Sequence, residues 1–225
     1  MRSMLLLLVA LGIVSSALRA QTTTGAVFPD PEFTVLFDGT NLEQWTGNKN
    51  AYRIINGELT VVTEAGESGG NLYTVEEYKD FIFRFEFKLS PGANNGLGIR
   101  TPTKGDAAYH GMELQILDNT AKKYENLKTY QYHGSIYGVV PALRGYLKPV
   151  GEWNTQIVIA KGDHITVILN ETVILDATLT HFIKNNRTID GKDHPGLGNK
   201  KGHVGFLGHG DPLWFRNIAI KKISF

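Results

Sequence analysis

The chain has 225 residues, 42% of them hydrophobic and 20% charged, with a formal net charge of +1. This is the profile of one soluble globular domain with a real core, and near-neutral charge argues against a nucleic-acid or anionic-membrane partner, which would need a basic face. The absence of cysteine excludes disulfides, thiolate metal sites, a cysteine nucleophile and a lipid anchor on an N-terminal cysteine.

At the N-terminus, Arg2 precedes an apolar run from Met4 to Val14, and small residues follow at Ser15, Ser16, Ala17 and Ala20. This is a signal-peptide pattern, too short to span a bilayer as a permanent helix. Residues 1–20 are therefore set aside from the fold, and the mature protein is expected to be secreted or periplasmic, with no membrane insertion after cleavage. Residues 21–32 read as a loose leader, and 33–225 as a single domain.

The first expected strand is Phe33 to Phe37, closed by a turn at Asp38 to Asn41. Tyr52 to Ile55 and Glu58 to Thr63 flank Asn56-Gly57, a strong hairpin signal. A polar, glycine-rich loop at Glu64 to Gly70 leads to a short strand at Asn71 to Val75. Asp80 to Leu89 alternates cleanly, with Phe81, Phe83, Phe85, Phe87 and Leu89 on the face that must be core. Asn94 to Asp118 reads as two strands joined by a long loop. Period-two alternation puts Gly96, Gly98 and Arg100 on one face of the first strand, and Glu113, Gln115 and Leu117 on one face of the second. A carboxylate, an amide and a guanidinium on one sheet surface would make a ligand-binding floor, with the glycines leaving room above it.

Asn119 to Leu147 is long and irregular, and a loop of that length in a compact domain is more often functional than idle. Further strands are expected at Trp153 to Lys161, His164 to Leu169, Val173 to Ala177, His203 to Leu207 and Leu213 to Ile223, with a polar loop at Ile183 to Lys201. No convincing amphipathic helix, repeat or linker is present. Ten to thirteen short strands with regular turns imply an all-β, two-sheet antiparallel sandwich, with a closed barrel as the competing architecture.

The segments FTVLFDGTNLEQW, GLGIR, GMELQILD, GSIYG, GEWNTQIVIAKGDHITVILN and HVGFLGHGDPLWFRNIAIKKI occur in that order. Together they resemble the secreted bacterial family long known as domain of unknown function 1080, now described as 3-keto-disaccharide hydrolases or 3-keto-glucoside 1,2-lyase/3-keto-2-hydroxy-glucal hydratases. The resemblance covers Phe33 to Ile223 and implies a concanavalin A-like jelly roll, the architecture of laminarinase-type glycosidases. Those enzymes carry catalytic carboxylates two residues apart on one strand. Here Glu113 is followed by Gln115, so one carboxylate is replaced by an amide. A retaining glycosidase needs two carboxyl groups flanking the bond, and the departure speaks against ordinary glycoside hydrolysis.

A ketone at C3 of a sugar acidifies the proton on C2. A base can remove that proton, the C1 substituent leaves by β-elimination, and water can add back to give net hydrolysis. The resemblance thus implies a lyase or hydratase acting on an oxidised (3-keto) disaccharide or glucoside, with an upstream oxidoreductase to make the ketone. Glu113 and His133 are the candidates for proton transfer. Arg100, or a divalent cation on Glu113, His133 or Asp118, would stabilise the enolate, although no ligand spacing proves a metal. Gln115, Tyr137, Trp153 and His110 are candidates for substrate binding.

Each assignment has a structural rival. Glu113 and Arg100 would also make an ordinary cross-strand pair, and a tryptophan opening a strand, like Trp153, is often core. His209 reads as structural. The competing functions are a non-catalytic carbohydrate-binding module and a conventional glycosidase. The latter needs a second carboxylate opposite Glu113, with Glu86 and Asp118 as candidates.

Overall fold

The computed structural model describes residues 31–62, 70–185 and 188–224; the signal pattern, the leader up to residue 30 and nearly all of the expected polar loop at 64–70 lie outside them. Thirteen strands form among the described residues. They are β1 (Thr34–Phe37), β2 (Trp45–Gly47), β3 (Tyr52–Ile55), β4 (Glu58–Val61), β5 (Leu72–Thr74), β6 (Phe81–Leu89), β7 (Asn94–Thr101), β8 (Met112–Leu117), β9 (Trp153–Lys161), β10 (His164–Leu169), β11 (Thr172–Thr178), β12 (His203–Gly208) and β13 (Leu213–Lys222). Two short helices, α1 (Ala107–His110) and α2 (Thr180–Asn185), add what the strand pattern did not announce, as does β2.

The strands form two antiparallel sheets. One has eight strands in the order β11-β10-β9-β6-β13-β4-β3, with β1 also paired to β13; the other has five, in the order β2-β5-β12-β7-β8. This is a sandwich rather than a closed barrel. Among the described residues no helix is long and apolar enough to cross a membrane.

The core between the sheets follows from alternation. Phe81, Phe83, Phe85, Phe87 and Leu89 of β6 are all buried, while Ile82, Arg84, Glu86 and Lys88 are half-buried on the outer face. Phe206 of β12 stacks on Phe215 of β13 with ring centroids 3.7 Å apart, so one aromatic pair joins the two sheets at their centre. The Asn56-Gly57 hairpin takes positive φ at both residues, 52° and 76°, the turn whose twist matches that of its strands.

The smaller sheet positions the cleft. β8 is buried on both faces, because the irregular stretch after it folds back over the sheet. Backbone pairing also closes its edge: the Gln115 N–H donates to the Ser135 carbonyl at 3.0 Å, Gly134 donates to the Gln115 carbonyl at 2.8 Å, and Tyr137 donates to the Glu113 carbonyl at 2.9 Å. An unprotected edge strand is thereby avoided, and the long loop is fixed at the position where the candidate carboxylate projects.

Alternation fails at Arg100. The register between β7 and β12 shifts between the Gly98–Gly205 and Thr101–His203 pairs, and Arg100 has φ of 48°. This bulge rotates Arg100 off the Gly96–Gly98 face. Its guanidinium, 2% exposed, runs to the end of the sheet, donating to the Lys79 carbonyl at 2.8 Å, the Gly162 carbonyl at 2.7 Å and the Asp80 carboxylate at 3.1 Å. The expected ligand-binding role for Arg100 is corrected accordingly: it pins three segments together at a distance from the cleft.

Candidate active site

Glu113 and Gln115 stand on the face of β8 turned away from the core, as alternation predicts, and they floor a cavity of about 260 Å³. Asn94, Tyr109, Tyr124, Gln131, Tyr137 and His209 share its walls. Gln115 donates to the Asn94 side chain at 2.7 Å, which holds the amide as a fixed part of the floor. The carboxyl of Glu113 rests over Gly96, where a Cβ would overlap it. That is a concrete reason for glycine at this position: the strand cedes its side-chain space to the acid.

Glu113 is only 6% exposed, and its Oε1 has no hydrogen-bond partner among the described residues. A buried carboxylate oxygen without a donor is costly, and such groups concentrate where chemistry needs them. The His209 imidazole stands beside it, its Nε2 3.7 Å from that oxygen, an ion-pair distance rather than a hydrogen bond. Glu113 raises the His209 imidazole above its ordinary value, partly opposed by burial, and Asp211 and Asp106 add to the rise. The cleft therefore pairs a buried acid with an imidazole biased toward its protonated form.

His209, expected to be structural, is thus the histidine that meets Glu113. His133 is not: it is 1% exposed, stacked on Phe87 with ring centroids 5.1 Å apart, and its Nδ1 accepts a long 3.4 Å bond from the Leu117 N–H. Burial pushes its pKa down to about 4, with a nearby Gln156 amide opposing. The expected cleft role fails because the loop carrying His133 turns its ring inward between the sheets. Asp118 caps a turn, accepting from the Gly92 N–H at 2.8 Å and the Thr120 N–H at 2.9 Å. Against burial, the Thr120 hydroxyl at 2.6 Å and then those two N–H bonds hold its carboxyl below its ordinary value. Glu113, His133 and Asp118 therefore do not converge, and among the described residues no group of three or more His, Asp or Glu side chains is arranged to hold a metal ion.

Of the substrate-binding candidates, Gln115 and Tyr137 line the cleft. His110 does not; it sits beside Arg100 in a separate depression, its Nδ1 against the Asp106 carbonyl at 3.1 Å. Trp153 lies on the larger sheet, covered by Arg216 at 4.0 Å and Lys88 at 4.7 Å. Glu86 is on that sheet too, bonded to Arg216 at 2.7 Å, so neither it nor Asp118 faces Glu113 as a second carboxylate. Asp106 does line the cleft, with one oxygen capping α1 through the Ala108 N–H at 3.0 Å.

A family model described as the 3-keto-alpha-glucoside-1,2-lyase-like domain matches residues 32–221. The chain belongs to this family. It is 26% identical over 231 aligned positions to a protein of Bacteroides thetaiotaomicron named 3-keto-disaccharide hydrolase, covering 85% of this chain and 79% of the relative. A crystal structure of a candidate glycosyl hydrolase from Parabacteroides distasonis is 31% identical, with a TM-score of 0.73, covering 85% of this chain and 99% of that one. A Bacillus subtilis protein with a galectin-like fold is 14% identical, with a TM-score of 0.55 over 84% of this chain and 94% of that one; this likeness concerns the fold alone. The match extends over β1 to β13, so the cleft lies inside the family domain.

Several cleft residues escaped the sequence reading, His209, Asp106 and Tyr109 among them. His209 had no local signal, because only the pairing of the strand before it with β7 carries it to the cleft. Asp106 had one, an N-cap before a short helix. Tyr109 had none beyond its place in a loop.

The burial of His133 has a measurable consequence. A histidine held neutral at about 4 against an ordinary 6.5 contributes its full stability above pH 6.5 and loses it as the pH falls toward 4, because the unfolded chain takes up the proton first. The loss amounts to about 3 kcal/mol. His133→Asn keeps an acceptor for Leu117 and removes the titration. Denaturant unfolding should show it less stable than the parent at pH 7, with the gap closing by pH 4.5. Turnover per folded molecule at neutral pH should be unchanged; a large selective loss of kcat would return His133 to the chemistry.

Proposed function

We propose that this protein cleaves 3-keto-glycosides by removing the C2 proton and eliminating the C1 substituent. The observation that carries the reading is the buried Glu113 carboxyl, one oxygen unsatisfied, opening on a polar cavity with His209 beside it. The name of the Bacteroides relative and the description of the family point to the same substrate class.

Glu113 takes the proton from C2. The electrons pass toward the C3 oxygen, and the C1–oxygen bond then breaks as the C1–C2 double bond forms. The leaving oxygen accepts a proton from the His209 imidazolium, which its acidic neighbours favour. The product is an enone, and addition of water across its double bond completes net hydrolysis. Because the substrate must already carry a ketone, an oxidoreductase acts before this step. The signal-like N-terminus supports a reaction outside the cytoplasm.

The test is release of the aglycone by purified protein from a 3-keto-glucoside and from the parent glucoside, with and without chelator. Release from the keto substrate alone supports the elimination, with chelator resistance assigning the chemistry to side chains. Release from both substrates returns the conventional glycosidase. Sugar binding with no release from either makes this a carbohydrate-binding module.

A further inference from the structure

A second cluster borders the same cavity. The Lys192 ammonium donates to the Tyr109 hydroxyl at 2.9 Å, and the Gln131 amide donates to the Tyr137 hydroxyl at 3.2 Å. An ammonium and an amide N–H are donors only, so each phenol oxygen is the acceptor and each retains its own O–H to give. Both rings line the cleft. Two O–H donors are therefore available to an acceptor inside a cavity that also holds Glu113.

The cluster is mounted on a rigid support. The Tyr109 ring lies against His194, with centroids 4.7 Å apart. The Nε2 of His194 meets the Asp190 carboxylate at 3.0 Å, with both side chains almost wholly buried. Asp190 also accepts from the Lys192 N–H at 3.0 Å and from the Thr188 hydroxyl at 2.8 Å, and its own N–H donates to the Gly138 carbonyl at 3.1 Å, next to Tyr137. One loop thus fixes Tyr109, Lys192 and the start of the Tyr137 segment relative to one another. No protein acceptor is needed to explain this arrangement, and a preorganised donor set is what a developing oxyanion requires.

We propose that Tyr109 and Tyr137, backed by the Lys192 charge, bind the carbonyl oxygen of the oxidised sugar and carry its negative charge when the adjacent C–H is deprotonated. This rests on the 3-keto-glycoside reading and supplies the electrophile that Arg100 does not. Proton balance is simple: Glu113 gains the C2 proton, the ketone oxygen gains charge but no proton, and the tyrosines keep theirs as hydrogen bonds. The titration behaviour of Tyr137 agrees with a donor that does not let go. Burial holds the Tyr137 hydroxyl above its ordinary value, the nearby Tyr109 and Glu113 adding to the rise while the Gln131 bond and Lys192 oppose it. The hydrogen bond to Tyr109 holds Lys192 above its own.

The experiment compares the full chain with Tyr109→Phe, Tyr137→Phe and Lys192→Gln on nitrophenyl and alkyl 3-keto-glucosides, with and without deuterium at C2. Lys192 is exposed, so its replacement keeps a folded protein in the set. The expected result is a fall in kcat of about 10²–10³-fold for each Phe variant, similar for both aglycones. A smaller fall is expected for Lys192→Gln, and the C2 isotope effect should rise as deprotonation becomes slower. A merely structural role would lower the folded fraction without moving the isotope effect. Parent-like kcat in the Phe variants overturns the proposal, and so does a loss confined to alkyl aglycones, which would make the tyrosines acids for the leaving group. Inactivity of the parent chain on both keto substrates is a different failure, that of the function reading itself.

Discussion

Glu113→Gln is expected to lower kcat on a 3-keto-glucoside by about 10²–10⁴-fold while leaving the folded state at least as stable as the parent. The two halves of this expectation have one cause. The carboxyl is 6% exposed, with an oxygen that finds no donor, so the fold bears a desolvation cost that a neutral amide relieves. The amide cannot take the C2 proton. Strain kept at a site for its chemistry, and released when the chemistry is removed, is the usual trade between stability and activity. An NMR titration gives an independent check. With its main perturber gone, His209 should titrate at lower pH in the variant than in the parent.

Gly96→Ala attacks the same group from below. The new Cβ would overlap the Glu113 carboxyl, which is the free end of a flexible side chain, so the acid moves and the strand need not. Activity should fall steeply with only a small change in melting temperature. Parent-like turnover in either variant would remove Glu113 from the role of base.

The largest effect on stability is expected at Arg100. Replacing it with Met leaves the buried Asp80 carboxylate with the Gly162 N–H at 2.8 Å as its remaining donor among the described residues, and strips the Lys79 and Gly162 carbonyls of the guanidinium bonds. Breaking a buried pair by removing one partner costs about 3–5 kcal/mol. For a chain of this size that is a fall in Tm of roughly 6–20 °C. Arg100→Lys should recover little, because a single ammonium cannot reach the separate acceptors that the planar fork bonds at once. Turnover per folded molecule should be preserved in both variants. Unchanged Tm with a raised KM would mean that Arg100 contacts substrate after all.

Strand pairing chose the sandwich over the closed barrel, but the two-faced strands and the Glu113–Gln115 floor of the cleft were legible in the sequence. Both depend on period-two alternation, a property of residues adjacent in the chain. Five apolar residues on one face of β6 cannot be placed anywhere but the core, and the same rule sends Glu113 and Gln115 to the opposite face from Leu114 and Ile116. Asn56-Gly57 is local in the same sense, since its backbone preference needs no partner.

Which histidine serves the site is settled by the assembly of the sheets. His133 and His209 both sit beside glycines in irregular segments, and nothing local distinguishes them. One is drawn inward to stack on Phe87, and the other is carried to Glu113 because β12 pairs with β7, which pairs with β8. Arg100 shows the same boundary within a strand. Alternation assigns it to the cleft face, but a bulge set by pairing with β12 turns it away, toward Asp80 and the carbonyls of Lys79 and Gly162. Periodicity fixes the face of a regular strand; the destination of a loop or of a bulged residue is fixed by contacts between segments far apart in the chain, and those exist only once the sheets have assembled.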